Sequence, residues 1–383
     1  MSETIQFRRR HFPGVSAREW NDWKWQLRNR LDTPQRLSRI LDLTAPERDA
    51  LTRPRRTLPL AITPYYASLI DPHDSTDPLR RTMIPTVSEL TRTDGECDDP
   101  LGEDAHSPVE GIVHTYPDKV LFLATDFCAT YCRYCTRSRV VGGGELPPAE
   151  SRWETGLRYI EQHAEIRDVL ISGGDPLTLA DSKLDWLLSR LRAIPHVQII
   201  RMGTKIPAVL PQRITPALAK ILSRCKPFWL SVHFTHPHEL TREAGTACAR
   251  LADAGIPLMN QTVLLAGVNA TIATMLELNQ GLLRFRVKPY YLHQCDAVTG
   301  TSHFRTTIET GLRIIDGLHG HTTGYAVPMY MLDAPGGGGK IPLSPDYIVS
   351  RQSGTVTVRN REGKHYTYHE GTARSPSDLA PSV

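Results

Sequence analysis

At 383 residues the chain is long enough for one large α/β domain with additions or for two ordinary domains, and 40% hydrophobic against 22% charged residues marks a globular rather than a disordered or fibrous protein. The 45 basic and 41 acidic residues nearly cancel, to a net charge of +4, too even for the concentrated basic stripe that a nucleic-acid partner requires. No apolar run reaches the ~18 residues of a membrane span, and the charged N-terminus "MSETIQFRRRHFPG" lacks the apolar core of a secretory signal; a cytoplasmic protein is expected, in which clustered cysteines are metal or redox ligands sooner than disulfides.

From Val15 to about Leu51 the pattern is helical, with Trp20, Trp23 and Leu27 at spacings that predict one buried face. Closely spaced prolines, from Pro54 to Pro85, break residues 53–118 into short helices and turns with no evident chemistry. From Lys119 onward, short apolar runs alternate with amphipathic segments. Strands are predicted at 120–125, 168–172, 198–203, 228–234, 258–265 and 287–294. Apolar strands separated by helices predict a parallel sheet covered by helices. Six such units are too few for the eightfold barrel but suit an open partial (β/α)6 barrel, and a doubly wound sheet fits the periodicity as well. After about residue 320 the alternation stops, a glycine-rich turn leads into a β-rich stretch at roughly 341–370, and the end "TARSPSDLAPSV" has the composition of a disordered tail. The expected organisation is a helical extension over 1–118, the α/β barrel over 119–320, and a C-terminal segment over 321–383.

Ligands of such folds gather at the carboxyl ends of the strands. There the cysteines follow the first predicted strand, "SGGDP" ends the second, His233 the fourth and "HQCD" the sixth. Cys128, Cys132 and Cys135 form C-x3-C-x2-C, one thiolate short of the four that a zinc ion or a four-iron cluster normally takes. Either a distant cysteine or histidine completes a zinc site, or one iron of a cubane stays open for an exogenous ligand. A "GGD" turn taken alone is a tight turn after a strand. A second constellation is "LDAPGGGGKIPL", where Lys340 stands behind four glycines. Such a loop lets the backbone approach a bulky group closely, and its lysine can act as a Schiff-base amine. A phosphate loop is excluded because Ile341 stands where the Walker motif needs Ser or Thr; a flexible turn with a solvated lysine remains open.

The three-cysteine motif, with Tyr134 before its last cysteine and "SGGDP" after the second strand, resembles the radical S-adenosylmethionine superfamily. Together with "EWNDWKWQLRNR", "ITPYYASLIDP", "VLPQRITP", "LADAGIPLMNQTVLL", "PYYLHQCD", "GLHGHTTGYAVP" and "DAPGGGGK", the chain from about residue 11 to 370 resembles the lysine 2,3-aminomutases. That resemblance implies a [4Fe-4S] cluster on Cys128, Cys132 and Cys135, with S-adenosyl-L-methionine on the open iron and near Ser172, Gly173, Gly174, Asp175, His233 and Gln261. It implies pyridoxal 5'-phosphate on Lys340, its phosphate held by Tyr116 and Lys119. It assigns Arg137 to the substrate carboxylate, and Asp296 and Asp333 to a distal ammonium.

Two carboxylates in one pocket repel and raise one pKa unless a cation sits between them, which favours a cationic substrate over glutamate. The implied reaction moves the α-amino group of L-lysine to the β-carbon; arginine is the alternative substrate, and a non-catalytic iron-sulfur or zinc module the distant one. An external electron donor of flavodoxin or ferredoxin type and a homo-oligomeric state are also implied. The chain departs from the family where its phosphate-binding "RYPDR" reads "TYPDK", with Thr115 and Lys119, where Ala266 replaces an arginine, and where His293 replaces a tyrosine just upstream of Asp296.

Overall fold

A computed structural model describes residues 3–53, 58–142 and 149–371; the tail "TARSPSDLAPSV" lies outside them. At the N-terminus the helical pattern is cut into short pieces by side chains that cap them. Ser16 and Glu19 form a reciprocal capping box on Ala17–Trp20, Asp22 caps Trp23–Arg28, Thr33 caps Pro34–Leu37, and Thr44 with Glu47 boxes Ala45–Thr52. A capping residue has non-helical backbone angles and spends its side chain on the next helix's first N–H groups, so each cap is also a break. Trp20, Trp23 and Leu27 therefore lie on two helices, Trp20 buried and the other two partly so. Glu47 also grips the buried Arg80, which donates from Nε (2.8 Å) and Nη2 (2.7 Å) to its carboxylate and from its other N–H groups to the carbonyls of Pro72 and Asp42.

The main sheet has nine strands whose spatial order follows the sequence: β1 (Ile112–Tyr116), β2 (Lys119–Thr125), β3 (Asp168–Gly173), β4 (Ile199–Thr204), β5 (Phe228–Val232), β6 (Leu258–Leu264), β7 (Lys288–Gln294), β8 (Met329–Ala334) and β9 (Gly339–Leu343). From β2 to β8 every neighbouring pair is parallel, and β1 and β9 fold back antiparallel on the two edges. All six predicted strands are present, as β2 to β7. The parallel run extends one strand beyond the sequence pattern, to β8, because "MYMLDA" is apolar only in its first half and follows a polar segment. The C-terminal β-rich stretch adds a separate antiparallel sheet of β10 (Ile348–Gln352), β11 (Thr355–Arg359) and β12 (His365–His369).

Burial separates the two folds that periodicity left open. A doubly wound sheet buries both faces, whereas here only alternate residues are buried: Val169 and Ile171 but not Leu170 and Ser172 on β3, and Leu258, Asn260, Thr262 and Leu264 but not Met259, Gln261 and Val263 on β6. The buried set faces the helices; the other set faces the inside of a nearly closed partial barrel. In an eightfold barrel that interior is filled by side chains. Here it is a lumen whose wall stays half-exposed.

Breaking the Arg80–Glu47 pair by Arg80→Ala leaves a carboxylate buried and unpaired, a change expected to cost about 3–5 kcal/mol. The urea midpoint of unfolding should fall accordingly with an unchanged slope, and Arg80→Met should not restore it.

Candidate active site

The cysteines lie on the loop that leaves β2, and that loop is held from outside the barrel. Arg30 donates to the Cys128 carbonyl (2.8 Å) and lies 4.3 Å over the Phe127 ring. Tyr131 N–H donates to Ala61 O and Arg133 N–H to Thr82 O, while the Arg133 side chain is paired with Glu89 and donates to Pro59 O. The proline-rich extension, which shows no chemistry in its sequence, is thus the buttress of the cysteine loop. From inside, the end of β3 presses against the same loop: Gly174 N–H donates to Thr125 O (2.5 Å) and Asp175 N–H to Phe127 O (2.9 Å). A Cβ on Gly173 would stand 2.1 Å from the Thr125 carbonyl oxygen, and one on Gly174 2.4 Å from that of Phe127. Both glycines are required by backbone packing against the cysteine loop.

All three cysteines are partly buried, and none forms a disulfide. Burial, and then repulsion by Cys132, pushes the Cys135 thiol up to about 11; burial also raises Cys128 and Cys132. Iron reverses that balance, since a coordinating thiol is deprotonated. Among the described residues no three His, Cys, Asp or Glu side chains converge as a single ion would need. In a cubane each thiolate holds its own iron, so a C-x3-C-x2-C set fits a cluster with one iron left open.

Asp175 is an anchor beneath this loop. Its carboxylate accepts from Thr204 Oγ1 (2.7 Å), Lys205 N (2.7 Å) and Leu177 N (3.1 Å), and burial raises its pKa to about 6. Ser172 and His233 face each other across Gly203, where an added Cβ would sit 3.9 Å from Ser172 Oγ and 3.7 Å from His233 Nε2. Burial first, then Lys205, His293 and Arg137, lowers the His233 pKa to about 3, so it is a neutral imidazole. Gln261 is half-exposed on the lumen side of β6, in register with Tyr291 on β7.

Arg137 faces the same mouth, yet most of its fork is occupied. Nε and Nη2 donate to Glu103 (3.0 and 2.6 Å), which leaves Nη1 turned to Ser172 Oγ at 3.5 Å. Glu103 is a site residue that sequence reasoning missed, because it lies 34 residues upstream in an irregular segment. Thr136, next in the chain to Arg137, donates to Asp296 Oδ2 (2.8 Å) and so ties the cysteine loop to the end of β7. Burial, then Asp333, raises the Asp296 pKa, as two carboxylates sharing one pocket require. Asp333 is held low, at about 2: burial opposes ionisation, but His293 and Lys340 outweigh it. His293 Nδ1 lies 3.2 Å from Asp333 Oδ2, so this histidine is in direct contact with one member of the acidic pair.

The glycine-rich segment is a hairpin turn. Asp333 and Lys340 are directly opposed in the β8–β9 ladder. Gly336, Gly337 and Gly339 have positive φ. The bulky group that this turn approaches is the protein's own chain, for Gly336 N–H donates to Pro100 O (2.9 Å) and a Cβ on Gly337 would stand 2.3 Å from the His106 ring. Lys340 N–H donates to Tyr116 Oη (2.9 Å), which links the two edges of the sheet. Lys119 pairs with Asp118 (3.3 Å) and lies 4.4 Å over the Tyr116 ring. Arg201, on the lumen side of β4, gives Nε to Asp168 (2.8 Å) and adds a cation that the sequence reading did not single out. A primary amine, ion-paired with Asp333, with cations and the Tyr116 and Tyr291 rings around it offers the donor set for an anionic aromatic aldehyde such as pyridoxal phosphate.

An open three-thiol loop at the mouth of a partial barrel defines the radical S-adenosylmethionine enzymes, and residues 122–278 match the family model described as Radical SAM superfamily. Residues 315–380 match the model described as Lysine-2,3-aminomutase. The chain is 49% identical over 367 residues to the L-lysine 2,3-aminomutase of Fusobacterium nucleatum, covering 96% of this chain and 86% of that protein. It is 48% identical over 365 residues to that of Clostridium subterminale, covering 95% and 88%. To the glutamate 2,3-aminomutase of Clostridioides difficile it is 44% identical over 346 residues, covering 90% and 82%. The chain belongs to the lysine 2,3-aminomutase family. It is an isomerase of the radical S-adenosylmethionine class, which implies a [4Fe-4S] cluster and S-adenosylmethionine.

Gly174→Ala should force the cysteine loop off β3, at a cost of about 1–3 kcal/mol. Iron and sulfide content after anaerobic reconstitution should fall by more than half, whereas Gly203→Ala, whose Cβ meets only ordinary contacts, should retain the cluster.

Proposed function

We propose that the protein is an L-lysine 2,3-aminomutase, which moves the α-amino group of L-lysine to the β-carbon to give β-lysine. The observation that carries this reading is the acidic pair: Asp296, tied to Thr136 of the cysteine loop, and Asp333 lie at the same mouth as Arg137, and burial, then Asp333, raises the Asp296 pKa. Lysine offers one charge for each end. Its carboxylate meets the free Nη1 edge of Arg137, with Glu103 fixing the guanidinium plane, and its ε-ammonium relieves the repulsion of the two aspartates. A glutamate side chain would add a third carboxylate to that pocket. Arginine would satisfy the charges, but relatives 48–49% identical to this chain carry the name L-lysine 2,3-aminomutase.

On this reading Cys128, Cys132 and Cys135 hold the cluster, and Ser172, Gly173, Gly174, Asp175, His233 and Gln261 shape the adenosylmethionine site. Gly173, Gly174 and Asp175 do so by fixing the cysteine loop. Lys340 takes pyridoxal phosphate, and Tyr116, Lys119 and Arg201 surround its phosphate. The cluster with adenosylmethionine supplies a radical that removes a β-hydrogen, and pyridoxal phosphate supplies a ring that delocalises the unpaired electron. The chain's own residues bind both ends of the substrate and hold it in one orientation, which is where a protein's share of the rate enhancement lies. A neutral His233 adds no charge to the adenosylmethionine cation. We also infer a cytoplasmic homo-oligomer reduced by a flavodoxin- or ferredoxin-type protein; among the described residues no helix is long and apolar enough to cross a membrane.

Anaerobic turnover with reductant, adenosylmethionine and pyridoxal phosphate, offering lysine, arginine and glutamate separately, should yield a β-isomer of lysine by mass spectrometry. Conversion of arginine alone would overturn the substrate. Asp296→Asn should raise the KM for lysine about 10–100-fold, the equivalent of one charge-assisted contact, with iron content unchanged.

A further inference from the structure

The pairing of β7 with β6 carries a bulge: Asn260 lies opposite Pro289 and Gln261 opposite Tyr291, so Tyr290 is an extra residue in β7. A bulge re-aims the side chains beside it, and here the Tyr290 and Tyr291 rings stack at 3.7 Å, with Tyr290 Oη donating to Tyr291 Oη (2.6 Å). Two residues on, His293 shares the face of Tyr291 and meets its ring edge-on at 5.3 Å. On the other side the parallel register sets His293 opposite Met331 of β8, which makes Asp333, two residues further along, its diagonal neighbour on the same face. His293 Nδ1 lies 3.2 Å from Asp333 Oδ2, and the two side chains are only 12% and 14% exposed, so solvent screens the contact little. A carboxylate can only accept, so Nδ1 carries the hydrogen.

Asp296 has a contact of the same form, for Thr136 Oγ1 donates to its Oδ2 at 2.8 Å. In each member of the acidic pair, then, a neighbouring side chain holds Oδ2. Asp333 also meets Lys340 Nζ (2.7 and 2.8 Å). Burial raises the Asp333 carboxyl, and against it the hydrogen bond from His293 leads the influences that hold it at about 2. We propose that His293 is a positioning residue for substrate selection: its hold on Oδ2 fixes the plane of the Asp333 carboxylate for the distal ammonium of the substrate, and so sets how strongly the site prefers a charged side-chain end to an apolar one of equal length. This rests on the reading of Asp333 as a partner of that ammonium. An aspartate carboxylate turns about its Cβ–Cγ bond with a broad profile, and a group already fixed in its bound orientation loses less freedom when the ligand arrives. Thr136 supplies that order at Asp296 and His293 at Asp333. Because His293 acts through Asp333, at the end of the substrate remote from the α- and β-carbons, its effect falls on KM more than on kcat.

The test compares His293→Leu with His293→Asn, an isosteric pair of which only Asn offers an N–H where the imidazole has Nδ1. Protein loaded with pyridoxal phosphate, without adenosylmethionine, is titrated by its cofactor absorbance with L-lysine and, separately, with L-norleucine, which has the same side-chain carbons and no ammonium. The wild-type preference for lysine should fall about 10-fold in His293→Leu, the scale of one hydrogen bond to a charged group, through weaker lysine binding with norleucine unchanged. His293→Asn should restore most of that preference. In anaerobic turnover of the complete enzyme, the KM for lysine should rise in His293→Leu by more than kcat falls. A His293→Leu protein that keeps the wild-type preference, or a His293→Asn protein that loses it as fully as His293→Leu, overturns the proposal and leaves the ammonium pocket standing. Equal weakening of both amino acids in His293→Leu marks a structural effect and also overturns it. Wild type that does not prefer lysine to norleucine overturns the pocket, and the proposal with it.

Discussion

The site depends on one constraint of the sheet: seven parallel strands, β2 to β8, carry helices on one side only. Strand residues alternate between faces, so covering one face with helices determines what the other must do. The inward set includes small and polar groups, Ser172, Gly203, Gln261 and His293, where an eightfold barrel would put branched apolar side chains. The lumen is consequently a place for ligands, and the strand ends form its rim. Ser172, His233 and Asp296 lie at one mouth because the parallel register delivers the carboxyl ends of β3, β5 and β7 to the same side.

The rim is itself fixed by clamps on its two sides. Arg30, Arg133 and the backbone of Ala61 and Thr82 clamp the cysteine loop from outside, and the close backbone approach of Gly173 and Gly174 clamps it from inside. Arg137 leaves the same loop only two residues after Cys135, so its position is set by the same clamps and by Glu103. The thiols and the Arg137 guanidinium are in this way held at one separation by the loop they share.

What could be read in the sequence was local. Three cysteines within eight positions, a lysine behind four glycines and six apolar strands are patterns of short range, and each stands where its spacing places it. Distant contacts left no such pattern. The Arg137–Glu103 pair, the Asp333–His293 contact and the lumen position of Arg201 arise from folding together segments that share no periodicity. β8 escaped notice because an edge-proximal strand need be apolar only where it packs. The glycines were legible as a close approach, but not what they approach: at 173 and 174 it is the cysteine loop, and at 337 it is His106. The Trp20, Trp23 and Leu27 stripe was a real burial signal laid over two helices, because periodicity records apolar spacing whereas capping chemistry sets the breaks.

The half-exposed wall of the lumen has a thermodynamic corollary. Its lining side chains lack the dispersion partners that a filled core provides, so part of the barrel's cohesion is left for non-protein groups to supply. Ligands that bind the native state and not the unfolded chain stabilise it by mass action. The cluster and the adenosylmethionine that this class of enzyme implies would then act as a removable core, whose supply would bear on how long the folded chain survives as well as on how fast it turns over.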